Sequence, residues 1–192
     1  MEIIPLIRLE EAGTLDETLA AIEELLKQID ENKTIYILDI DGIEKNEPNL
    51  DIYQRISNSH DIWVDNGPCN IGDAVDAFMA GATKVTIIRE LCPQIKISEI
   101  REITENEIYA DLALDQEDIF YQEIDGIVNF NDRKKIEFDQ RYNSLLTQYS
   151  TKNKLYCYES NIENISFWKK YNITGLLVDV DKHKEFENAI RI

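Results

Sequence analysis

Residues 70–87, NIGDAVDAFMAGATKVTI, decide the fold, because the same pattern returns 91 residues later as NIENISFWKKYNITGLLV over residues 161–178. The two copies align without a gap. Each begins with an asparagine whose side chain can accept the free amide protons at a helix start, continues through a helical stretch and ends in a strand. The short segments before them, residues 61–65 and 154–158, match after a two-residue shift. The repeat therefore predicts a domain made of two fused halves of similar structure.

Eight apolar, β-branched segments alternate with helical patterns, which is typical of a parallel sheet. Apolar residues recur at helical spacing over Leu15–Ile29, Asp73–Met79 and Lys134–Tyr149. The connection from Asp115 to Asp125 is the shortest and has room for only about two helical turns. With the internal repeat, this order predicts an α/β fold, a compact (βα)8 TIM barrel of two half-barrels, as one domain over residues 1–192. The predicted strands are Ile3–Leu9, Thr34–Ile40, Asp61–Asp65, Lys84–Arg89, Glu107–Leu112, Gly126–Phe130, Lys154–Tyr158 and Gly175–Val180.

Composition excludes several classes of partner. The net charge of −18 repels phosphate backbones and no basic stripe offsets it, so we expect no nucleic-acid partner. No apolar run approaches the roughly 20 residues that span a bilayer, and the first ten residues lack the basic start of a secretory signal. We therefore expect a cytoplasmic protein with no membrane partner.

Cysteine and glycine motifs give no sign of a cofactor. The three cysteines, Cys69, Cys92 and Cys157, are too few and too scattered for a disulfide framework and lack metal-ligand spacing. We expect reduced thiols, with Cys157 buried in a strand. No glycine-rich dinucleotide or P-loop motif follows a predicted strand, so no cofactor and no metal are predicted.

Three stretches carry a family resemblance. They are residues 61–91, DIWVDNGPCNIGDAVDAFMAGATKVTIIREL, residues 3–9, IIPLIRL, and residues 36–43, YILDIDGI. Residues 61–91 resemble the third and fourth strand–helix units of the histidine-biosynthesis isomerase and cyclase barrels (the HisA/HisF family). Residues 3–9 resemble the first strand of that family and residues 36–43 the second, so the matches follow the family's order along the chain. The resemblance implies a barrel related to phosphoribosylformimino-aminoimidazole carboxamide ribotide isomerase, with its site at the carboxyl ends of the strands.

The sequence also departs from that family. Arg8 stands where the family has a catalytic aspartate, and a permanent cation cannot transfer that proton. Of the glycine-rich turns with which the family holds two phosphates, only Gly67 remains. Glu159, Asp179 and Asp181 stand at the turns after strands seven and eight, where they would repel a phosphate.

Candidate site residues are the polar side chains at the carboxyl ends of the strands, because barrel active sites are built there. The resemblance implies that Asp111 is the acid/base, with Asp115 as a competing alignment, and Asp39 is a second catalytic candidate. The full set is Arg8, Asp39, Asp41, Asp65, Asn66, Arg89, Asp111, Asn129, Glu159 and Asp179.

Two interpretations of the charged residues stay open. Arg8 and Arg89 can grip a carboxylate or phosphate, helped by Asn66 and Gly67, or they can neutralise neighbouring acids. Asp39, Asp41 and Asp65 can alternatively coordinate a hard cation such as Mg²⁺.

Two functions follow from these observations. The first is an isomerase-type enzyme that binds a phosphorylated ribotide or a related small phosphorylated or carboxylated metabolite. The second is a barrel that has lost catalysis and serves as a binding or assembly partner for another protein, which the changes at Arg8 and at the phosphate turns favour.

Overall fold

The computed structural model of the chain describes residues 1–10, 14–31, 33–112, 123–131 and 133–191. Eight parallel strands close into a barrel in sequence order, and β1 pairs with β8 to complete it. The predicted TIM-barrel fold is confirmed. The strands are β1 (Glu2–Leu9), β2 (Thr34–Asp39), β3 (Asp61–Asp65), β4 (Ala82–Ile87), β5 (Glu107–Asp111), β6 (Gly126–Asn129), β7 (Lys154–Tyr158) and β8 (Gly175–Asp179).

Helices connect the strands on the outside of the barrel. Asn70 caps α4 as the repeat predicts, since its side chain accepts from the amide of Asp73. Thr14 caps α1 in the same way, with Glu17 completing a capping box. The α-helices of the described residues are α1 (Leu15–Leu26), α2 (Ile40–Lys45), α3 (Leu50–Ser57), α4 (Ile71–Met79), α5 (Ile97–Arg101), α6 (Arg133–Phe138), α7 (Gln140–Lys152), α8 (Ile165–Trp168) and α9 (His183–Ile190). None of them is long and apolar enough to cross a bilayer.

Two predicted elements differ from the structure. The single helix expected over Lys134–Tyr149 is two helices, because the side chain of Asp139 caps a new start by accepting from the amide of Arg141. The second copy of the repeat holds only the one-turn helix α8 between two 3₁₀ turns, where the first copy holds the nine-residue α4. Most of the connection expected between Asp115 and Asp125 lies outside the described residues, as does Asp115 itself.

Alternate residues of each strand point into the barrel, and this sets what the site can contain. In β2, Ile35 and Ile37 pack outward against the helices, whereas Tyr36 and Leu38 pack inside. The interior is unusually aromatic and holds Tyr36, Trp63, Tyr109 and Tyr156, all buried.

Trp63 lies at the centre of these rings. Its ring centroid lies 4.9 Å from that of Tyr36, 4.0 Å from that of Tyr109 and 5.0 Å from that of Tyr156. Each such pair adds about 1 kcal/mol beyond the burial of its apolar area. Among the described residues the barrel axis is therefore filled at the level of these rings, and a ligand inside the barrel would lie beyond them, at the carboxyl ends of the strands.

Candidate active site at the carboxyl end of the barrel

The inward alternation places a defined set of polar side chains at the carboxyl end of the barrel. Trp63 and Tyr109 point inward, so Asp65 and Asp111, two residues later, do too. By the same rule Arg8, Tyr158 and Asp179 face the mouth from β1, β7 and β8. The mouth therefore combines two carboxyl groups on one side with an arginine and a third carboxylate on the other.

Asp65 forms the floor of the mouth. Its side chain is buried, and its Oδ2 accepts a hydrogen bond of 2.7 Å from the hydroxyl of Tyr36. Its Oδ1 is also buried but has no hydrogen-bond partner among the described residues. A buried carboxylate oxygen without a donor is costly, and a catalytic role is one reason for which proteins retain such a group.

Burial raises the pKa of Asp65 to about 7. Hydrogen-bonding contributions from the hydroxyl of Tyr36 and the backbone amide of Gly67 favour the charged form, but they do not offset the loss of water. The negative charges of Asp111 and Asp39 raise the pKa further. Asp65 is therefore a carboxyl group that both holds and releases a proton near neutral pH.

A chain of side-chain hydrogen bonds orients this carboxyl group. The indole nitrogen of Trp63 donates to Thr86 Oγ1 at 2.9 Å, and Thr86 Oγ1 lies 3.2 Å from the hydroxyl oxygen of Tyr36. Since Tyr36 donates its own proton to Asp65, the Thr86 hydroxyl is left to donate to Tyr36. The chain fixes Oδ2 and leaves Oδ1 as the oxygen that can carry a transferable proton.

Asp111 is the second inward carboxyl group and lies at the end of β5, as predicted. Its Oδ1 accepts a hydrogen bond of 3.0 Å from the backbone amide of Arg89. Burial raises the pKa of Asp111 and the nearby charge of Glu90 adds to this, while the Arg89 amide and guanidinium act in the opposite direction. Arg89 thus supports Asp111 with its backbone as well as its charge.

The opposite side of the mouth is held by an arginine among aromatic rings. Arg8 lies 3.6 Å from Asp179 and places its guanidinium 4.9 Å from the centre of the Tyr158 ring. Tyr158 donates its hydroxyl to Asp179 at 2.9 Å and stacks on Phe130 at 5.6 Å. The side chain of Arg8 is still 41% exposed, so its outer edge faces solvent.

Asp39 does not face the mouth. It follows the outward residues Ile35 and Ile37, and its carboxylate caps α2 by accepting from the amide of Gly42 at 3.1 Å. It also accepts from the amide of Asn49 at 2.8 Å, from the Asn49 side chain at 2.9 Å and from the Tyr53 hydroxyl. These contacts give Asp39 a structural role between barrel and helices, and the catalytic role expected from the sequence stays a prediction.

The turn after β3 has a structural role too. Asn66 is buried beneath Gly42, where a Cβ would lie 2.9 Å from the backbone oxygen of Asn66. Gly67 adopts φ 61°, a left-handed conformation that favours glycine. Both residues lie next to Asp65. The side chain of Asn66 is buried, so it is not exposed to the anion that the sequence predicts it to bind.

The other polar candidates lie apart from one another and do not form one site. Asp41 pairs with Lys45 on α2 at 2.9 Å, and Asp65 points the other way from Asp39. Glu159 is buried and accepts from Trp168 and from the amide of Asn161, both at 2.8 Å. Asn129 binds Asn131 on the outer side of β6. The described residues hold no group of three metal-ligating side chains, and the three aspartates proposed for Mg²⁺ do not meet.

A cavity of about 360 Å³ opens beside the mouth, between the ends of β6 and β7. Phe130 and Tyr158 line it on the mouth side, and its charged lining residues are Arg133, Lys134 and the buried Glu159. Sequence reasoning missed these residues apart from Glu159, as it missed Tyr36 and Thr86. The signal for Tyr36, Tyr158 and Phe130 was available, since each shares the inward alternation of its strand.

Comparisons with solved structures show the barrel fold. The 3-keto-L-gulonate-6-phosphate decarboxylase of Vibrio cholerae O1 superposes with a TM-score of 0.72 at 13% identity, covering 100% of this chain and 96% of that one. KGPDC of Streptococcus mutans gives 0.68 at 11% identity with 98% of each chain covered. Dihydropteroate synthase of Thermus thermophilus gives 0.63 at 11% identity, covering 98% and 92%.

Sequence comparisons add no family. No protein-family pattern matches the chain. No curated protein sequence matches it either. At these identities the structural likeness concerns the fold alone. Fold and site together define the chain as a (βα)8 barrel with two inward carboxyl groups and a rim arginine at the carboxyl end.

Proposed function

We propose that this barrel is an enzyme that transfers protons on a small phosphorylated or carboxylated metabolite, in an isomerase-type reaction. The observation that carries the proposal is Asp65, a buried carboxyl group whose pKa is raised to about 7 and whose Oδ1 has no partner among the described residues. A general acid/base works best when its pKa lies near the working pH.

Asp111 supplies the second group that such a reaction needs. Isomerisation next to a carbonyl removes a proton from one atom and delivers a proton to another, so two acid/base groups share the work. The negative charge of Asp111 raises the pKa of Asp65, which favours a protonated Asp65 beside a charged Asp111. In this proposal the charged carboxylate takes the proton from carbon and the protonated one gives its proton to oxygen.

The positive side chains suggest the substrate class. Arg8 exposes its guanidinium edge at the mouth, Arg89 lies beside Asp111, and Arg133 and Lys134 line the adjoining cavity. A planar guanidinium binds carboxylate or phosphate well. The Vibrio cholerae barrel is named for a phosphorylated sugar acid, which supports a substrate of this kind. Asn66 and Gly67 contribute by shaping the turn that follows Asp65.

A second candidate function is a non-catalytic barrel that binds a protein partner, and specific contacts favour it. Arg8 is paired with Asp179 and packed on Tyr158, and Oδ1 of Asp65 has almost no exposed surface. Both features describe a mouth that is closed by its own side chains. The two functions differ in whether a small anion binds there.

The test is binding and turnover with matched variants. Thermal unfolding is followed with sugar phosphates, aminoimidazole ribotides and simple carboxylates, because a ligand at 100 times its Kd adds about 2.7 kcal/mol. Any ligand that shifts the midpoint is then assayed for turnover. Asp65→Asn and Asp111→Asn should each abolish turnover. Asp61→Asn, at the opposite end of the same strand, is the matched control and should retain it.

The outcomes separate the two functions. Turnover that survives Asp65→Asn would remove the proposed acid/base. No midpoint shift with any of these anions would favour the non-catalytic barrel, and a search for a bound protein would follow.

A further inference from the structure

Thr86 is a buried polar side chain inside the barrel, and the proposed reaction does not yet give it a role. Its Oγ1 accepts a hydrogen bond of 2.9 Å from the indole nitrogen of Trp63 and lies 3.2 Å from the hydroxyl oxygen of Tyr36. Valine has nearly the same shape, and it would fill this space without burying a hydroxyl group. The hydroxyl of Thr86 therefore does more than fill the core.

A bulge in β4 turns Thr86 towards the barrel axis. The register of β4 against β3 skips Thr83, whose hydroxyl donates to the carbonyl oxygen of Ile62 at 3.2 Å. As a result Ala82 and Val85, three residues apart, both pack on the outer side of the barrel. Strict alternation from Ala82 would have placed Thr86 on the outer side as well. The bulge thus re-aims Thr86 into the barrel, as bulges near active sites commonly do.

The hydrogen bonds of Thr86 run in one direction. An indole N–H donates and cannot accept, so Trp63 takes up a lone pair of Thr86 Oγ1. Within the part of the chain that the structure describes, the hydroxyl of Thr86 meets only Trp63 and Tyr36, so its own proton goes to the Tyr36 oxygen. Tyr36 in turn donates to Oδ2 of Asp65 at 2.7 Å. Each donor in the chain therefore points towards Asp65, and Oδ2 is held as an acceptor.

We propose that Thr86 is a positioning residue that fixes the direction of this chain, so that Oδ2 of Asp65 only accepts and Oδ1 carries the exchangeable proton. This inference rests on the proposed acid/base function of Asp65. Thr86 acts through Tyr36, because a hydroxyl that accepts a hydrogen bond becomes a stronger donor itself. The stronger bond favours the charged form of Asp65, so Thr86 offsets part of the rise in pKa that burial causes.

Three variants test this role. Thr86→Val removes the hydroxyl and keeps the branched shape, and the midpoint of the Asp65 titration should rise by roughly 0.5–1 pH unit. Thr86→Ser keeps the hydroxyl and should restore the wild-type midpoint. Val85→Ala is the matched control, because Val85 is buried on the outer face of the same strand. Val85→Ala should lower the stability and leave the midpoint of Asp65 unchanged.

Infrared difference spectroscopy of the folded protein without ligand, from about pH 5 to pH 9, measures this titration. The C=O stretch of a protonated carboxyl group is separate from the carboxylate bands, and the band that Asp65→Asn removes belongs to Asp65. With the proton on Oδ1, the C=O oxygen is Oδ2, which accepts from Tyr36. Thr86→Val weakens that bond and should move the band to higher wavenumber, whereas a proton on Oδ2 would leave the band in place.

The outcomes separate this inference from the proposed function. An unmoved midpoint and band in Thr86→Val would overturn the role of Thr86 and leave Asp65 as the acid/base. Equal shifts in Thr86→Val and Val85→Ala would also overturn it, since packing would then explain them. An Asp65 that does not titrate near neutral pH would overturn both proposals. If Thr86→Val does not fold, Thr86→Cys replaces it, because a thiol is a weaker donor and should give a smaller shift in the same direction.

Discussion

Replacing Asp65 by asparagine should stabilise the protein at alkaline pH, and the size of the effect follows from the raised pKa. The carboxyl group titrates at about 7 in the folded protein, against 3.8 as the ordinary value. Between those values the folded state holds a proton that the unfolded state has released, so the carboxyl group costs stability increasingly as pH rises. At about 1.4 kcal/mol per pKa unit, the full cost above pH 7 is roughly 4 kcal/mol.

Asparagine keeps the shape of the side chain and can still accept from Tyr36, but it carries no charge. The difference in unfolding free energy between Asp65→Asn and wild type should therefore widen by roughly 2.5 kcal/mol from about pH 5 to pH 8. Urea unfolding followed by tryptophan fluorescence measures this as a shift of roughly 1 M in midpoint. Comparing the two proteins at each pH cancels the titration of all other groups.

Asp61→Asn is the control, because Asp61 is exposed at the amino end of β3 and its replacement changes the net charge equally. Its stability relative to wild type should not change with pH by more than about 0.5 kcal/mol. A pH-independent difference for Asp65→Asn, or one that favours wild type at pH 8, would show that Asp65 is not a buried carboxyl group with a raised pKa.

Two further substitutions test the structural roles around the site. Asp39→Ala leaves the Gly42 amide, the Asn49 amide and the Tyr53 hydroxyl without their acceptor, and should cost about 3 kcal/mol in urea unfolding; a loss below about 1 kcal/mol would contradict this role. Gly67→Ala adds a Cβ 3.1 Å from Ile43 at φ 61° and should cost about 2 kcal/mol in thermal or urea unfolding, so an unchanged midpoint would show that the turn relaxes freely.

The fold could be predicted from sequence because the internal repeat and the alternation of strand and helix patterns agree. The repeat at residues 70–87 and 161–178 sets strand, cap, helix and strand in order, and the closed barrel follows from eight such units. Boundaries were harder, since a single polar residue can end one element and begin another. Asp139 does so between α6 and α7, and nothing in the apolar spacing of that stretch marks the break.

The location of the candidate site could be proposed from the sequence, but not the orientation and contacts of its side chains. The carboxyl ends of the strands hold the candidate residues, and Asp111 lies where it was expected. Asp39 and Asp65 both end strands, yet one caps a helix outside the barrel and the other faces its axis. Their alternation relative to Tyr36 and Trp63 distinguishes them, since Asp39 is three residues from Tyr36 and Asp65 is two from Trp63. Even so, whether Oδ1 of Asp65 has a hydrogen-bond partner depends on packing that no sequence pattern reports.

The stability experiment also bears on which function the barrel has. The charged carboxyl group of Asp65 lowers the stability by roughly 4 kcal/mol above neutral pH. Asparagine has the same shape and no charge, so it would remove this cost. A barrel used only as a docking surface gains nothing from that cost, because Oδ1 of Asp65 is buried and would not reach a docked protein. An enzyme gains a proton donor that works near pH 7. If Asp65→Asn proves more stable at pH 8 while losing turnover, the raised pKa and the catalytic role have one cause, which is the burial of Asp65 beside Asp111.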